Sequence, residues 1–218
     1  MEYASARTPA IADDSKGFAA HVVAMVGSRL CHDLVSPLGA IGNGIELLQM
    51  AGDWPGLADS QEMRLIEDAL KAARARINCF RVAFGAAGRA QRVPAAEFAA
   101  LVADIQTSSR LQIRLETEGD HARGVVKLVL LALMCMETAM PWGARITVSQ
   151  QGRDWRLSAR AERTRQDAAL WSSLDGQRRD RLDAAASEVH FLLLPLAAAE
   201  MQRSITWELT ETGAEIGF

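Results

Sequence analysis

Residues 23–48 read VAMVGSRLCHDLVSPLGAIGNGIELL, and this stretch contains the pattern that decides the fold. Its apolar residues recur at spacings of three or four, which places them along one side of an α-helix. The helical pattern begins near Lys16 and ends near Met50, and it predicts one continuous buried stripe. The members of this apolar stripe are Val23, Val26, Leu30, Leu34, Pro37, Ile41, Ile45 and Leu48.

A second helical pattern follows residues 51–56, AGDWPG, which are rich in residues that end helices and form turns. Its apolar residues keep the spacing of helices that pack side by side. Two long helices joined by a short turn form an antiparallel hairpin, which we assign to residues 16–88. Residues 1–15 lack periodicity and are expected to form a flexible tail. The second apolar set is Met63, Ile66, Leu70, Ala73, Ile77, Phe80 and Phe84.

A lone hairpin leaves part of each apolar stripe in water. Pairing two hairpins across a two-fold axis covers these surfaces in a four-helix bundle. The sequence therefore predicts a homodimer formed through the hairpin. The alternative is a monomer whose hairpin packs on its own C-terminal part.

The C-terminal part, residues 93–218, has the pattern of a mixed sheet with helices on one face. Together with the hairpin, it predicts an α+β protein. A polar, arginine-rich segment, residues 162–183, precedes the last helix. The predicted helices are 94–107, 125–140 and 189–202, and the predicted strands are 111–116, 145–149, 155–159, 205–210 and 214–218.

Composition excludes several functional classes. The chain has 218 residues, 49% of them hydrophobic, and no segment reaches the roughly 18–20 consecutive apolar residues of a membrane span. The formal net charge of −3 argues against a nucleic-acid partner. Cys31, Cys79 and Cys135 occur singly, without the spacing of a metal site, and favour a cytoplasmic location.

Local charge is less even than the net charge. Residues 71–92 contain six basic residues and no acidic one. This segment is either a solvated helix face or a docking strip for an acidic partner. Its basic residues are Lys71, Arg74, Arg76, Arg81, Arg89 and Arg92.

The motif HDLVSP, residues 32–37, lies within the first helical pattern. At about 100° per residue, His32 lies about 200° from Leu30 and Leu34, so its imidazole should face solvent. The residues around it are mostly small and would let the backbone of another protein approach closely. We assign partner binding to Ser28, Arg29, Gly39, Ala40 and Asn43.

An exposed imidazole beside a carboxylate suits phosphorylation on histidine. One neutral ring nitrogen acts as the nucleophile while the other donates a hydrogen bond that stabilises the developing charge. Asp33 can accept that bond directly, or can act through backbone and water. Ser36 can hydrogen-bond a phosphoryl oxygen, and Pro37 has a structural role because it removes a backbone donor. The candidate catalytic residues are therefore His32, Asp33 and Ser36.

The stretch SRLCHDLVSPLGAIGNGIELL, residues 28–48, closely resembles the alphaproteobacterial histidine phosphotransferases of the ChpT type. It is also similar to the phosphoacceptor box of sensor histidine kinases. The resemblance covers nearly the whole chain from residue 16, with a hairpin followed by a domain like the kinase ATPase fold. It implies that His32 accepts a phosphoryl group from the receiver aspartate of a hybrid histidine kinase and passes it to the receiver domains of response regulators.

The chain departs from the kinase pattern where kinases bind nucleotide. Residues 127–137 lack the two asparagines of that pattern, and residues 158–165, SARAERTR, stand where a DxGxG loop should follow the central strand. No glycine-rich lid precedes the last helix. A phosphate cradle needs backbone amides that glycines leave accessible. We therefore expect no ATP binding, no cofactor or metal of the chain's own, and Mg²⁺ supplied by the partner receiver domain.

Three alternatives remain open at this point. The first is an ATP-dependent histidine kinase, and the second is a dimeric receiver-binding adaptor without phosphotransfer. The third, a hydrolase using Cys31, His32 and Asp33, is disfavoured because adjacent helical residues point about 100° apart. In the favoured interpretation the chain is a phosphotransferase that acts as a relay intermediate.

Overall fold

The computed structural model describes residues 11–51, 54–86, 88, 90–176 and 185–218. Its helices are α1 (Ile11–Ala51), α2 (Gln61–Ala83), α3 (Ala95–Ser108), α4 (Arg123–Ala139), α5 (Ala168–Trp171) and α6 (Val189–Glu200). Its strands are β1 (Arg92–Val93), β2 (Leu111–Glu116), β3 (His121–Ala122), β4 (Ala144–Gln151), β5 (Asp154–Arg160), β6 (Thr206–Thr210) and β7 (Gly213–Gly217).

Helices α1 and α2 form the predicted hairpin. Helix α1 begins at Ile11, five residues earlier than its apolar pattern indicated, and it continues through Pro37. Residues 11–15 of the expected tail are therefore helical, and Asp13 and Asp14 are residue types favoured in a first helical turn. The rest of that tail lies outside the described residues. Helix α2 begins at the N-cap Ser60, whose hydroxyl accepts a hydrogen bond from the Met63 amide at 3.1 Å.

One side of α2 packs on the C-terminal half of the chain. Cys79, Val82 and Ala83 belong to the same buried cluster as residues of α3 and α4. The Lys127 ammonium donates a hydrogen bond to the Gly85 carbonyl at 2.9 Å, just beyond the end of α2. The hairpin therefore does pack on its own C-terminal part, as one alternative expected, and in the described residues it does so mainly through α2.

Most of the apolar stripe of α1 is exposed in the single chain, as expected for a lone hairpin. Ile45 is buried, whereas Leu30, Leu34 and Ile41 expose 58%, 50% and 51% of their surface. The residues of α1 that α2 does cover include the small Ala24, Cys31 and Gly42. Because one neighbouring helix covers only part of a helical surface, the side of α1 that carries the large residues remains open.

The main sheet has the strand order β2-β4-β5-β7-β6. Strands β2 and β4 are parallel, and the other neighbours are antiparallel. Side chains alternate along β4 and β5 between a buried and a more exposed face, so helices cover one face only, as predicted. The core centres on α4, where every residue from Val125 to Met136 except Lys127 is buried.

The sequence did not predict β1 and β3, which pair antiparallel away from the main sheet. Each has two residues, too few for an alternating pattern. The polar segment 162–183, for which no helix or strand was predicted, contains α5 and a 3₁₀ turn at Ser172–Asp175. Its residues 177–183 lie outside the described residues. Within the described ranges, no helix combines the length and hydrophobicity needed to cross a membrane.

Candidate active site

His32 lies on α1 with its imidazole in solvent, and 80% of its side chain is exposed. Its Nδ1 lies 3.2 Å from Asp33 Oδ1. The other carboxylate oxygen of Asp33 accepts a hydrogen bond from Arg29 Nε at 2.7 Å. The three side chains thus form a short polar chain, Arg29–Asp33–His32, on the surface of one helix.

This arrangement favours one tautomer of the His32 imidazole. The tautomer that carries its proton on Nδ1 donates to Asp33 and leaves the Nε2 lone pair directed away from the carboxylate. The hydrogen bond from His32 lowers the pKa of Asp33 below its ordinary value, and the hydrogen bond and charge of Arg29 lower it further. Asp33 is therefore an anionic acceptor that offsets positive charge arising on the ring.

The sequence left open whether Asp33 contacts the ring directly or acts through backbone and water. The structure has the direct contact. Arg29 was predicted only as part of the partner-binding surface, and the structure adds its bond to Asp33. The spacing of Arg29 and Asp33 by four residues could have revealed this pair, since side chains four apart meet on a helix.

The surface around the imidazole is low and open, as expected from its small residues. Gly39 is half-buried, and a Cβ built on it would meet no atom within 4 Å. Ser36 lies on the same side of α1, one turn from His32, and Pro37 follows it without interrupting the helix. The exposed members of the predicted site are Ser28, Arg29, His32, Asp33, Ser36, Pro37, Ala40 and Asn43.

Sequence reasoning missed a contact between the helices further along α1. Arg74 Nη2 donates a hydrogen bond to the Leu38 carbonyl at 3.0 Å. A Cβ on Gly42 would collide with this guanidinium, so glycine is what lets α2 reach the backbone of α1 here. Gly42 thus serves a close approach between helices, and α1 is continuous through it.

The basic residues of segment 71–92 do not form one shared face. Arg76 Nη1 contacts both carboxylate oxygens of Glu137, at 3.0 and 2.9 Å, and so joins α2 to α4. Arg74 is bonded to α1, and Arg92 donates to the Asp120 carbonyl. Arg89 lies outside the described residues. Arg74, Arg76 and Arg92 of this segment therefore each have a partner within the chain.

The alternative hydrolase site is not assembled. Cys31 is buried, and its burial raises the pKa of its thiol, whereas His32 faces solvent. A buried, protonated thiol pointing away from the imidazole is a poor nucleophile. In the described part of the chain, no three histidine, cysteine or acidic side chains converge as a metal site would require.

Comparisons with known proteins agree with this fold. The model of a protein family described as the histidine phosphotransferase C-terminal domain matches residues 95–213. The protein phosphotransferase ChpT of Brucella abortus is 36% identical over 139 residues, which is 60% of this chain and 61% of that protein. The chain thus matches less than two thirds of the length of this curated relative.

Among solved structures, a bacterial phosphotransferase aligns with a TM-score of 0.65 and 24% identity, over 97% of this chain and 98% of that chain. A histidine kinase domain from Erythrobacter litoralis aligns with a TM-score of 0.42 and 10% identity, over 71% of this chain and 81% of that chain. The first alignment spans both the hairpin and the sheet. The predicted fold class, a helical hairpin followed by a mixed α/β domain, is confirmed.

Proposed function

The chain belongs to the histidine phosphotransferase family, and from this premise we propose that His32 carries the phosphoryl group in a multistep two-component phosphorelay. The donor is the phosphorylated receiver aspartate of a hybrid histidine kinase, and the acceptors are receiver aspartates of response regulators. The observation that carries this proposal is the exposed imidazole, whose Nδ1 contacts Asp33 while Nε2 remains open.

The transfer follows from this geometry. The Nε2 lone pair attacks the phosphorus of the donor aspartyl phosphate, a P–N bond forms, and the P–O bond breaks with its electrons leaving on the aspartate. The ring becomes positively charged, and Asp33 stabilises that charge through the Nδ1–H hydrogen bond. Arg29 holds the Asp33 carboxylate toward the ring. The reverse steps deliver the phosphoryl group to an acceptor aspartate.

The surroundings of His32 suit a protein substrate. A receiver domain must bring its own acidic pocket to within bonding distance of Nε2, and the small residues near the imidazole permit this approach. Ser28, Gly39, Ala40 and Asn43 form this docking surface in our proposal. Ser36 is placed to hydrogen-bond a phosphoryl oxygen.

We further propose that the chain uses no ATP and that the partner receiver supplies Mg²⁺. Both phosphorylated partners are activated species, so no separate fuel molecule is required. The support lies in α4, where Leu131 and Cys135 are buried apolar residues in the segment that lacks the kinase asparagines. The three buried, unpaired cysteines also suit a cytoplasmic relay.

The same proposal includes a homodimer through the hairpin. Large exposed apolar residues concentrate on α1 and the start of α2. Among the described residues of the C-terminal half, the large exposed apolar residues are Trp142 and Leu196. A second copy of the hairpin would cover the open side of α1 and complete a four-helix bundle.

Sedimentation equilibrium of Leu34→Glu should give a monomer, while the matched Leu196→Glu should remain dimeric. Identical masses for the two variants would reject this interface.

The decisive experiment is phosphoryl transfer from a phosphorylated receiver domain to the wild-type chain. His32→Gln should accept no label, whereas His21→Gln, a histidine substitution in the same helix, should accept it normally. A parallel incubation with labelled ATP should leave the protein unlabelled.

Other outcomes identify the alternatives. Label taken directly from ATP would indicate a histidine kinase. A receiver that binds wild type and His32→Gln equally, with no label on either, would indicate a receiver-binding adaptor.

A further inference from the structure

One end of the main sheet carries a group of arginines beside an exposed tryptophan. We call this surface, formed by Arg110, Trp142, Arg145, Arg160 and Arg163, the arginine edge. It lies where β2 and β4 begin and β5 ends, because Leu111 is paired with Ala144 and Arg145 with Arg160. All five residues are exposed. The phosphoryl transfer proposed at His32 uses none of these five residues.

Two of these arginines face each other across neighbouring strands. Arg145 and Arg160 are direct partners in the antiparallel β4–β5 ladder, so their side chains leave the same face of the sheet. Neither forms an ion pair with any residue in the described ranges. Like charges directly opposite each other destabilise a sheet. The pair therefore needs an explanation other than the stability of the fold.

Trp142 adds an apolar contact beside this pair. Its ring is 49% exposed, and the Arg163 guanidinium stacks over it at 3.9 Å. The adjacent Gly143 has a φ of +114°, and a Cβ there would lie 2.9 Å from the Arg110 carbonyl oxygen. This close approach brings the start of β2 against the loop that carries Trp142. Trp142, Arg163 and Arg110 thus lie near the strand ends that carry Arg145 and Arg160.

We propose that the arginine edge binds an acidic polypeptide segment, separately from phosphoryl transfer at His32. Arginine and tryptophan are the residue types that dominate binding energy at protein interfaces. Arginines without internal partners can form bidentate bonds with carboxylates. Glu162 is also exposed in this region, which leaves the surface with an excess of positive charge.

The rest of the sheet argues for a compact acidic segment and against an extended polyanion such as nucleic acid. Glu208 and Glu215 are direct partners on β6 and β7, on the face that carries the arginine pair. Glu215 accepts from Ser158 at 3.1 Å and pairs with Arg156 at 3.0 Å. A phosphate backbone continuing across the sheet would meet these two carboxylates. An acidic segment that ends at β5 would not.

The test uses fluorescein-labelled polyglutamate of about 20 residues as the probe, with binding to the full chain followed by fluorescence anisotropy. The double variant Arg145→Gln/Arg160→Gln should raise Kd about tenfold or more, and Trp142→Ala should also weaken binding. The matched control Arg114→Gln/Arg156→Gln removes two positive charges from the same sheet, where each arginine already has an acidic partner. The control should change Kd less than about twofold.

Other results would overturn the proposal. Equal weakening by both double variants would show that the probe responds only to net charge. No measurable binding of the probe to wild type would show that the arginine edge does not bind an acidic segment. Tighter binding of single-stranded DNA, or displacement of the probe by millimolar inorganic phosphate, would assign the edge to another anion. Because removing like charges relieves repulsion, Arg145→Gln/Arg160→Gln should unfold no earlier than wild type. A fall in Tm would show that the pair serves the fold instead.

Discussion

His190 is a buried titratable group between α6 and α4. Its Nε2 lies 3.0 Å from the hydroxyl of Thr138, and that hydroxyl donates to the Met134 carbonyl at 3.1 Å. Since the hydroxyl gives its one proton to the carbonyl, Nε2 is the donor in this contact. Burial and, to a smaller extent, the nearby positive charge of Arg76 lower the pKa of His190 from 6.5 to about 4.

The depressed pKa makes stability depend on pH in a defined window. Between pH 6.5 and about 4, the unfolded chain binds a proton at His190 that the folded chain does not bind. Stability therefore falls as pH falls through this window and levels off below it. With these two pKa values, moving from pH 7.5 to 4.5 removes roughly 2–3 kcal/mol of unfolding free energy. His190→Gln should lack this contribution.

Urea unfolding at the two pH values measures the effect. The loss of stability on acidification should be roughly 2–3 kcal/mol smaller in His190→Gln than in wild type. Phe191→Leu is the control, because it disturbs the adjacent buried residue without removing a titratable group. It should lower stability at both pH values and keep the wild-type difference. If His190→Gln keeps the wild-type difference as well, the reasoning is wrong.

Three further predictions concern the contact between α2 and α4, the core at α4, and Asp33 beside His32. A double-mutant cycle on Arg76→Ala and Glu137→Ala should give a coupling of about 1 kcal/mol in urea unfolding, and independent effects would contradict the bond between α2 and α4. Leu131→Ala removes a fully buried side chain of α4 and should cost about 2–5 kcal/mol; a smaller loss would mean that the core collapses around the gap. Asp33→Asn should slow phosphoryl transfer roughly 100-fold without changing urea unfolding, because the residue is exposed.

Periodicity in the sequence predicted the elements that bury a regular set of side chains. The three-and-four spacing placed both helices of the hairpin, and alternation placed β2 at 111–116, its observed bounds. The same spacing predicted that His32 faces solvent, away from the apolar stripe, and its side chain is 80% exposed. These predictions succeeded because each depends on the local geometry of one element. Strands of two residues, such as β1, carry no such period and were missed.

The sequence by itself determined the hairpin, the mixed sheet and an exposed imidazole beside a carboxylate. Each of these depends on the periodic spacing of apolar residues within one helix or strand. Only the tertiary structure decided that α2 packs on α4 while the large apolar residues of α1 stay uncovered. It alone joined Arg76 to Glu137 and set Arg145 opposite Arg160. Such contacts join residues far apart in the chain, and they depend on how complete elements pack rather than on any local pattern.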